Sequence, residues 1–154
     1  IGTTSYNSGT DVYTSFTQKA GTSAVEVTID SSNNTLAGVR DAINGSTAGV
    51  VASIIYDGSN YRLALSAKDS GAGNTVAITV DDDDANDTNT SGLSSLSFSA
   101  GATNLTQTVA GSDAALSING LAVTSGSNVV SGAIEGLDIT LKETFSGTET
   151  IRRK

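Results

Sequence analysis

The densest charge in this 154-residue sequence is the run Asp81-Asp82-Asp83-Asp84-Ala85-Asn86-Asp87. Asp82, Asp84 and Asn86 fall at the first three ligand positions of an EF-hand calcium loop. The sixth position of such a loop needs Gly for its sharp turn and holds Asp87; the twelfth needs a bidentate Glu and holds Leu93. The reading that survives is a solvated, mutually repelling acidic loop. Ser70-Gly71-Ala72-Gly73-Asn74 is glycine-rich, but the sequence after it alternates like a strand and no Gly-Lys-Ser/Thr ending follows, so a turn is expected there in place of a phosphate cradle. Paired-carboxylate glycoside chemistry could draw on 16 acidic residues, yet four Tyr, three Phe and no Trp supply few sugar platforms.

The missing residue types narrow the chemistry further. With no His there is no imidazole base or ligand, and with no Cys there is neither a thiolate nucleophile nor a disulfide. No nucleophile–base pair can be assembled. The expectation is therefore a protein that is not an enzyme, with no catalytic, cofactor-binding or metal-binding residues. A net charge of −8 opposes nucleic acid and anionic lipid as partners. No apolar run approaches the roughly 20 residues of a membrane-spanning helix. Sequons such as Asn33-Asn34-Thr35 and Asn44-Gly45-Ser46 are what this composition produces by chance. Beginning at Ile1 and ending in Arg152-Arg153-Lys154, the chain reads as processed or excised.

The elements that must position any surface are mostly strands. Val12, Thr14 and Phe16 permit one strand, and Val25, Val27 and Ile29 alternate with Ala24, Glu26 and Thr28 as a second. Asn34 is the expected N-cap of a helix of about ten residues whose apolar face is Leu36, Val39 and Ile43. Gly45 is expected to end it in the left-handed conformation. Val50–Tyr56 and Tyr61–Ala67 read as a hairpin about Asp57-Gly58-Ser59-Asn60, with Tyr56 and Tyr61 poised to pair across the strands. Val76, Ile78 and Val80 alternate as another strand, and Leu93, Leu96 and Phe98 return to the core. Residues 116–118 and 121–123 flank Asn119-Gly120, the strongest short hairpin signal, and Leu137, Ile139 and Leu141 close the pattern.

The stretches Leu36-x-x-Val39-Arg40-Asp41-Ala42-Ile43-Asn44, Ala52-Ser53-Ile54, Tyr61-Arg62-Leu63-x-Leu65-Ser66 and Asp69-x-Gly71-Ala72 resemble the IN motif of bacterial flagellar proteins. Residues 113–128 and 134–141 resemble the segment that follows it in the flagellar filament-capping family, FliD or hook-associated protein 2. The resemblance spans about residues 23–142. It implies a head-domain fragment of a protein exposed at the flagellum tip, outside the cell, where it promotes flagellin assembly. Its implied partners are flagellin, other copies of itself in a ring-like homo-oligomer of the full-length protein, and host mucin for adhesive members. The fragment alone is expected to be monomeric. The matching positions are structural: Leu36, Val39 and Ile43 as core, Gly71 and Gly120 as turns. No stretch carries heptads, so the helical legs and coiled coil implied for the full-length protein are absent from this chain. A disulfide-free chain also suits export in an unfolded state.

The expected fold is mainly β: two small, sandwich-like β-rich domains with one short α-helix at about 35–44. The IN-motif domain, 22–103, is expected to be inserted into a second, discontinuous domain formed by 1–21 and 104–154. Two alternatives stand beside the capping reading: a variable surface domain of a flagellin, and an adhesin or glycan-binding β-domain.

Overall fold

A computed structural model describes residues 1–7, 9–10, 12–144 and 147–148; the basic 152–154 end lies outside them. The described chain is mainly β, with eight strands arranged as four two-stranded antiparallel sheets and one α-helix. In chain order these are β1 (Gly2–Asn7), β2 (Val12–Gln18), α1 (Leu36–Gly45), β3 (Val50–Tyr56), β4 (Tyr61–Ala67), β5 (Ala114–Ile118), β6 (Leu121–Ser125), β7 (Val129–Ile134) and β8 (Leu137–Thr140). Each sheet is a hairpin of sequence neighbours, β1–β2, β3–β4, β5–β6 and β7–β8.

Contacts divide the chain into two compact units, Ile1–Ser112 and Asp113–Lys154. The expected pairing of 1–21 with the C-terminal residues differs from this division. Gly2 exchanges two backbone hydrogen bonds with Thr75, 3.0 and 2.8 Å long. Tyr6 and Tyr13 of the β1–β2 hairpin pack on Phe98, with ring centroids 5.4 and 5.0 Å away. These bonds and rings tie the hairpin to the unit that holds the IN-motif residues. Tyr13 and Phe98 are buried and form its aromatic core.

Helix α1 survives by packing, since a ten-residue helix is marginal by itself. Val39 is buried and Ala52 of β3 is buried in the same unit. The N-cap is Thr35 and not Asn34: its Oγ1 accepts the Gly38 amide at 3.0 Å. At the other end Gly45 remains helical, and the stop is made by Ser46, whose backbone amide and hydroxyl both donate to the Ile43 carbonyl. The left-handed turn comes later, at Gly49, with φ 69°. The hydroxyl at the cap thus does the terminating that glycine was expected to do.

Two expected strands are not laddered. Val27 and Ile29 are half-buried while Ala24, Glu26 and Thr28 are exposed, yet residues 23–30 pair with no strand among the described residues. In 76–80 only Ile78 is paired, by a single bridge to Phe98. Leu93 and Leu96 lie on a short 3-10 helix, Gly92–Leu96, that leads into buried Phe98. Alternation reports which side faces in; it does not supply a partner strand. Conversely, β1 and β7 were not foreseen, because their sequences are polar or broken by Gly132, which has φ 76° at a register shift.

Candidate functional site

Three of the five carboxylates in the acidic loop bond to their own chain. Asp82 Oδ2 accepts the Ser94 hydroxyl at 2.6 Å and the Ser94 amide at 3.1 Å, and its Oδ1 accepts the Asp84 amide at 3.2 Å. Asp84 takes the Asn86 amide at 2.8 Å and the Asn89 carboxamide at 2.7 Å, while Asp87 takes the Asp82 amide at 3.0 Å. Ser94 is fully buried, so it anchors the loop from inside. Its hydroxyl is the main reason the Asp82 carboxyl is held below its ordinary range, with Asp84 and the backbone amides adding to the effect. Among the described residues no three acidic side chains converge as a metal cluster. Asn104 completes the anchor: its carboxamide donates to the Asn89 and Ser94 carbonyls at 2.6 and 2.8 Å. Neither Ser94 nor Asn104 announced this role in the sequence, because the bonds span 10 to 15 positions.

The glycine-rich segment is a turn. Gly71 has φ 100° and is buried, and Ala72–Asn74 forms one 3-10 turn before Thr75 pairs with Gly2. A shallow cleft of about 330 Å³ lies beside it, lined in part by Lys19, Thr22, Asp69 and Asn74. Lys19 Nζ donates to Asn74 Oδ1 at 2.7 Å. These groups are a lysine, a hydroxyl, a carboxylate and a carboxamide.

The strongest surface feature is the β3–β4 hairpin. In its register, Ala52 faces Leu65, Ile54 faces Leu63 and Tyr56 faces Tyr61. Side chains alternate across the sheet, so Val51 and Ile55 share the opposite face, and both are exposed. At the tip Tyr56 and Tyr61 are 57% and 69% exposed, with ring centroids 5.0 Å apart. The turn beneath them is rigid. Asp57 accepts the Ser59 and Asn60 amides at 2.9 and 2.8 Å and pairs with Arg62. Those contacts, led by the Asn60 amide, push its carboxyl down to about 2.

At the base of the hairpin Asn44 closes the outer edge of β3: its Oδ1 accepts the Ala52 amide and its Nδ2 donates to the Ala52 carbonyl, each at 2.8 Å. The motif named Asn44 without a role; the structure shows it acting as a one-residue strand partner. The whole arrangement is a rigid platform presenting aromatic and aliphatic surface, the composition of a contact site. In the second unit, Leu121 is 72% exposed and Val129 and Ile134 are also exposed.

Comparison with known proteins gives the family. The family model for the flagellin hook IN motif matches residues 15–69, which contain β3, β4, α1 and Asn44. The chain is 42% identical over 125 residues to the B-type flagellar hook-associated protein 2 of Pseudomonas aeruginosa, covering 75% of this chain and 26% of that protein. It is 35% identical over 108 residues to flagellar hook-associated protein 2 of Escherichia coli O157:H7, covering 70% of this chain and 22% of that protein. The D1-D2-D3 domains of the flagellar cap protein FliD from Escherichia coli superpose with a TM-score of 0.72 at 33% identity, over 85% of this chain and 36% of that one. The chain spans about a quarter of the length of the hook-associated proteins it matches. Mainly β hairpins, an IN motif and shared sequence across both units place this chain in the flagellar hook-associated protein 2, or FliD, family.

Proposed function

We propose that this chain is the exposed head of a flagellar filament cap, working at the flagellum tip outside the cell by protein–protein contact and promoting flagellin assembly there. The observation that carries the reading is the likeness to FliD cap-protein domains over 85% of the chain. The contact surface fits it: a hairpin braced by Asp57 and Asn44, with Tyr56 and Tyr61 exposed at its tip and Ile55 exposed on its opposite face. Contact between proteins is the mode of action this reading entails. Flagellin and further copies of the full-length protein, in a ring-like assembly, are the partners this reading entails, with host mucin as an additional one.

Complementation tests it. The full-length protein containing this chain, expressed in a strain lacking its filament cap, is expected to restore filament growth. Gold-labelled antibody against residues 1–112 is expected to mark filament tips. Label distributed along filament sides, without restored growth, would instead support the flagellin surface-domain reading.

A further inference from the structure

The chain contains two Asn-Gly steps, Asn44-Gly45 and Asn119-Gly120, and the fold treats them in opposite ways. We propose that Asn119 is a site of spontaneous covalent modification, converting to aspartate and isoaspartate while Asn44 is protected. In the reaction the Gly120 main-chain nitrogen attacks the Asn119 side-chain carbonyl carbon, forming a new C–N bond. The bond to the side-chain nitrogen breaks, and ammonia leaves carrying the proton lost from the Gly120 amide. Water then adds to one or the other carbonyl of the resulting succinimide and opens it. Opening at one carbonyl gives aspartate; opening at the other moves the main chain onto the side-chain carbon.

Both reactants are free at Asn119. Ile118 pairs with Leu121, so Asn119 and Gly120 are the two loop residues of the hairpin, with φ 50° and 84°. That is the two-residue turn with both central residues left-handed, and its closing hydrogen bond runs between the flanking residues, leaving the Gly120 amide unused. Both residues are exposed, and nothing lies within 4 Å of where a Gly120 side chain would begin. Glycine offers no Cβ to shield the attacking nitrogen. Among the described residues no hydrogen bond holds the Asn119 carboxamide.

At Asn44 both reactants are tied. Its carboxamide is clamped to Ala52 through oxygen and nitrogen, and Gly45 is the last residue of α1, where its amide serves the helix. The consequences at Asn119 are local to the second unit. Isoaspartate lengthens the main chain by one carbon in a turn whose dihedrals leave no slack, adds a negative charge to a chain already at −8, and loosens β5 from β6 beside exposed Leu121.

The test is to incubate the 154-residue chain at mildly alkaline pH, native and in denaturant, and digest it. Amide loss is then followed by mass spectrometry in the two peptides. Isoaspartate is counted by methyl transfer from labelled S-adenosylmethionine with an isoaspartyl methyltransferase. In the native chain Asn119 is expected to lose its amide at least about tenfold faster than Asn44, which must first open locally. In denaturant the two rates should converge, and Gly120→Ala should slow the Asn119 reaction in both conditions. Equal native rates, or an Asn119 that keeps its amide when native and loses it when denatured, would overturn the proposal. So would aspartate without isoaspartate, which bypasses the succinimide.

Discussion

Asn44 closes a strand edge with one side chain, and its replacement should show how much that closure contributes. Asn44→Ala removes two part-buried hydrogen bonds and strands the Ala52 amide and carbonyl; a loss of about 1–3 kcal/mol is expected in denaturant unfolding. Tyr13 predicts the opposite sign. Its ring is buried against Phe98, but its hydroxyl has no hydrogen-bond partner, and burial pushes that phenol up to about 12. Tyr13→Phe should leave stability unchanged or raised, because an unsatisfied buried hydroxyl is removed. Tyr13→Ala should cost about 3–5 kcal/mol through loss of the ring. Asp57 governs an acid limb. Its folded carboxyl sits at about 2, against roughly 3.9 in an unfolded chain. A depressed folded value means its stabilisation is present above the unfolded value and is lost as pH falls toward 2. Melting temperatures across that window should fall in the parent chain and change less in Asp57→Asn.

Helix α1 tests whether propensity or packing decides an element. Gly38 lies inside it, where Ala would ordinarily help by about 1 kcal/mol. Here a Cβ would sit 2.3 Å from the Asn33 carbonyl oxygen, a backbone atom that cannot swing aside. Gly38→Ala should therefore destabilise, by about 1–3 kcal/mol as overpacking does, and thermal melts would register it. The acidic loop gives a prediction by ligand addition. Three of its five carboxylates, Asp82, Asp84 and Asp87, are engaged by Ser94, Asn89 and main-chain amides, and among the described residues no acidic cluster is formed, so millimolar calcium or a chelator should leave the melting temperature unchanged. A site that bound calcium only in the native state would raise it. The sequence made α1, the β3–β4 hairpin and the β5–β6 hairpin legible for a common reason: period and turn chemistry are local. Leu36, Val39 and Ile43 mark a helical face, of which Val39 is buried, Ile43 half-buried and Leu36, expected in the core, exposed at the first turn; Asn119-Gly120 dictates a tight turn. Strand β1, with the sequence GTTSYN, carries no such signal and exists because β2 pairs with it.

At the level of the whole molecule, the composition holds neither an imidazole nor a thiol. Its 16 acidic residues against eight basic ones give a net charge of −8. Among the described residues most remain at least partly exposed, and the buried apolar set is small: Tyr13, Val39, Ala52, Phe98 and Val130. No helix among the described residues is long and apolar enough to cross a membrane. Local periodicity and turn dipeptides made the class of fold, the helix and its hairpin legible, and the resemblance of the IN-motif residues pointed to the family, because each depends on residues within a few positions of one another. Long-range pairing lay beyond them. That the β1–β2 hairpin joins Thr75 and Phe98, that Ser94 anchors Asp82, and that Asn44 stands in for a strand beside Ala52 were decided by tertiary structure. A hydrogen-bonding side chain looks the same in sequence whether its partner is solvent or a backbone edge brought to it by the fold.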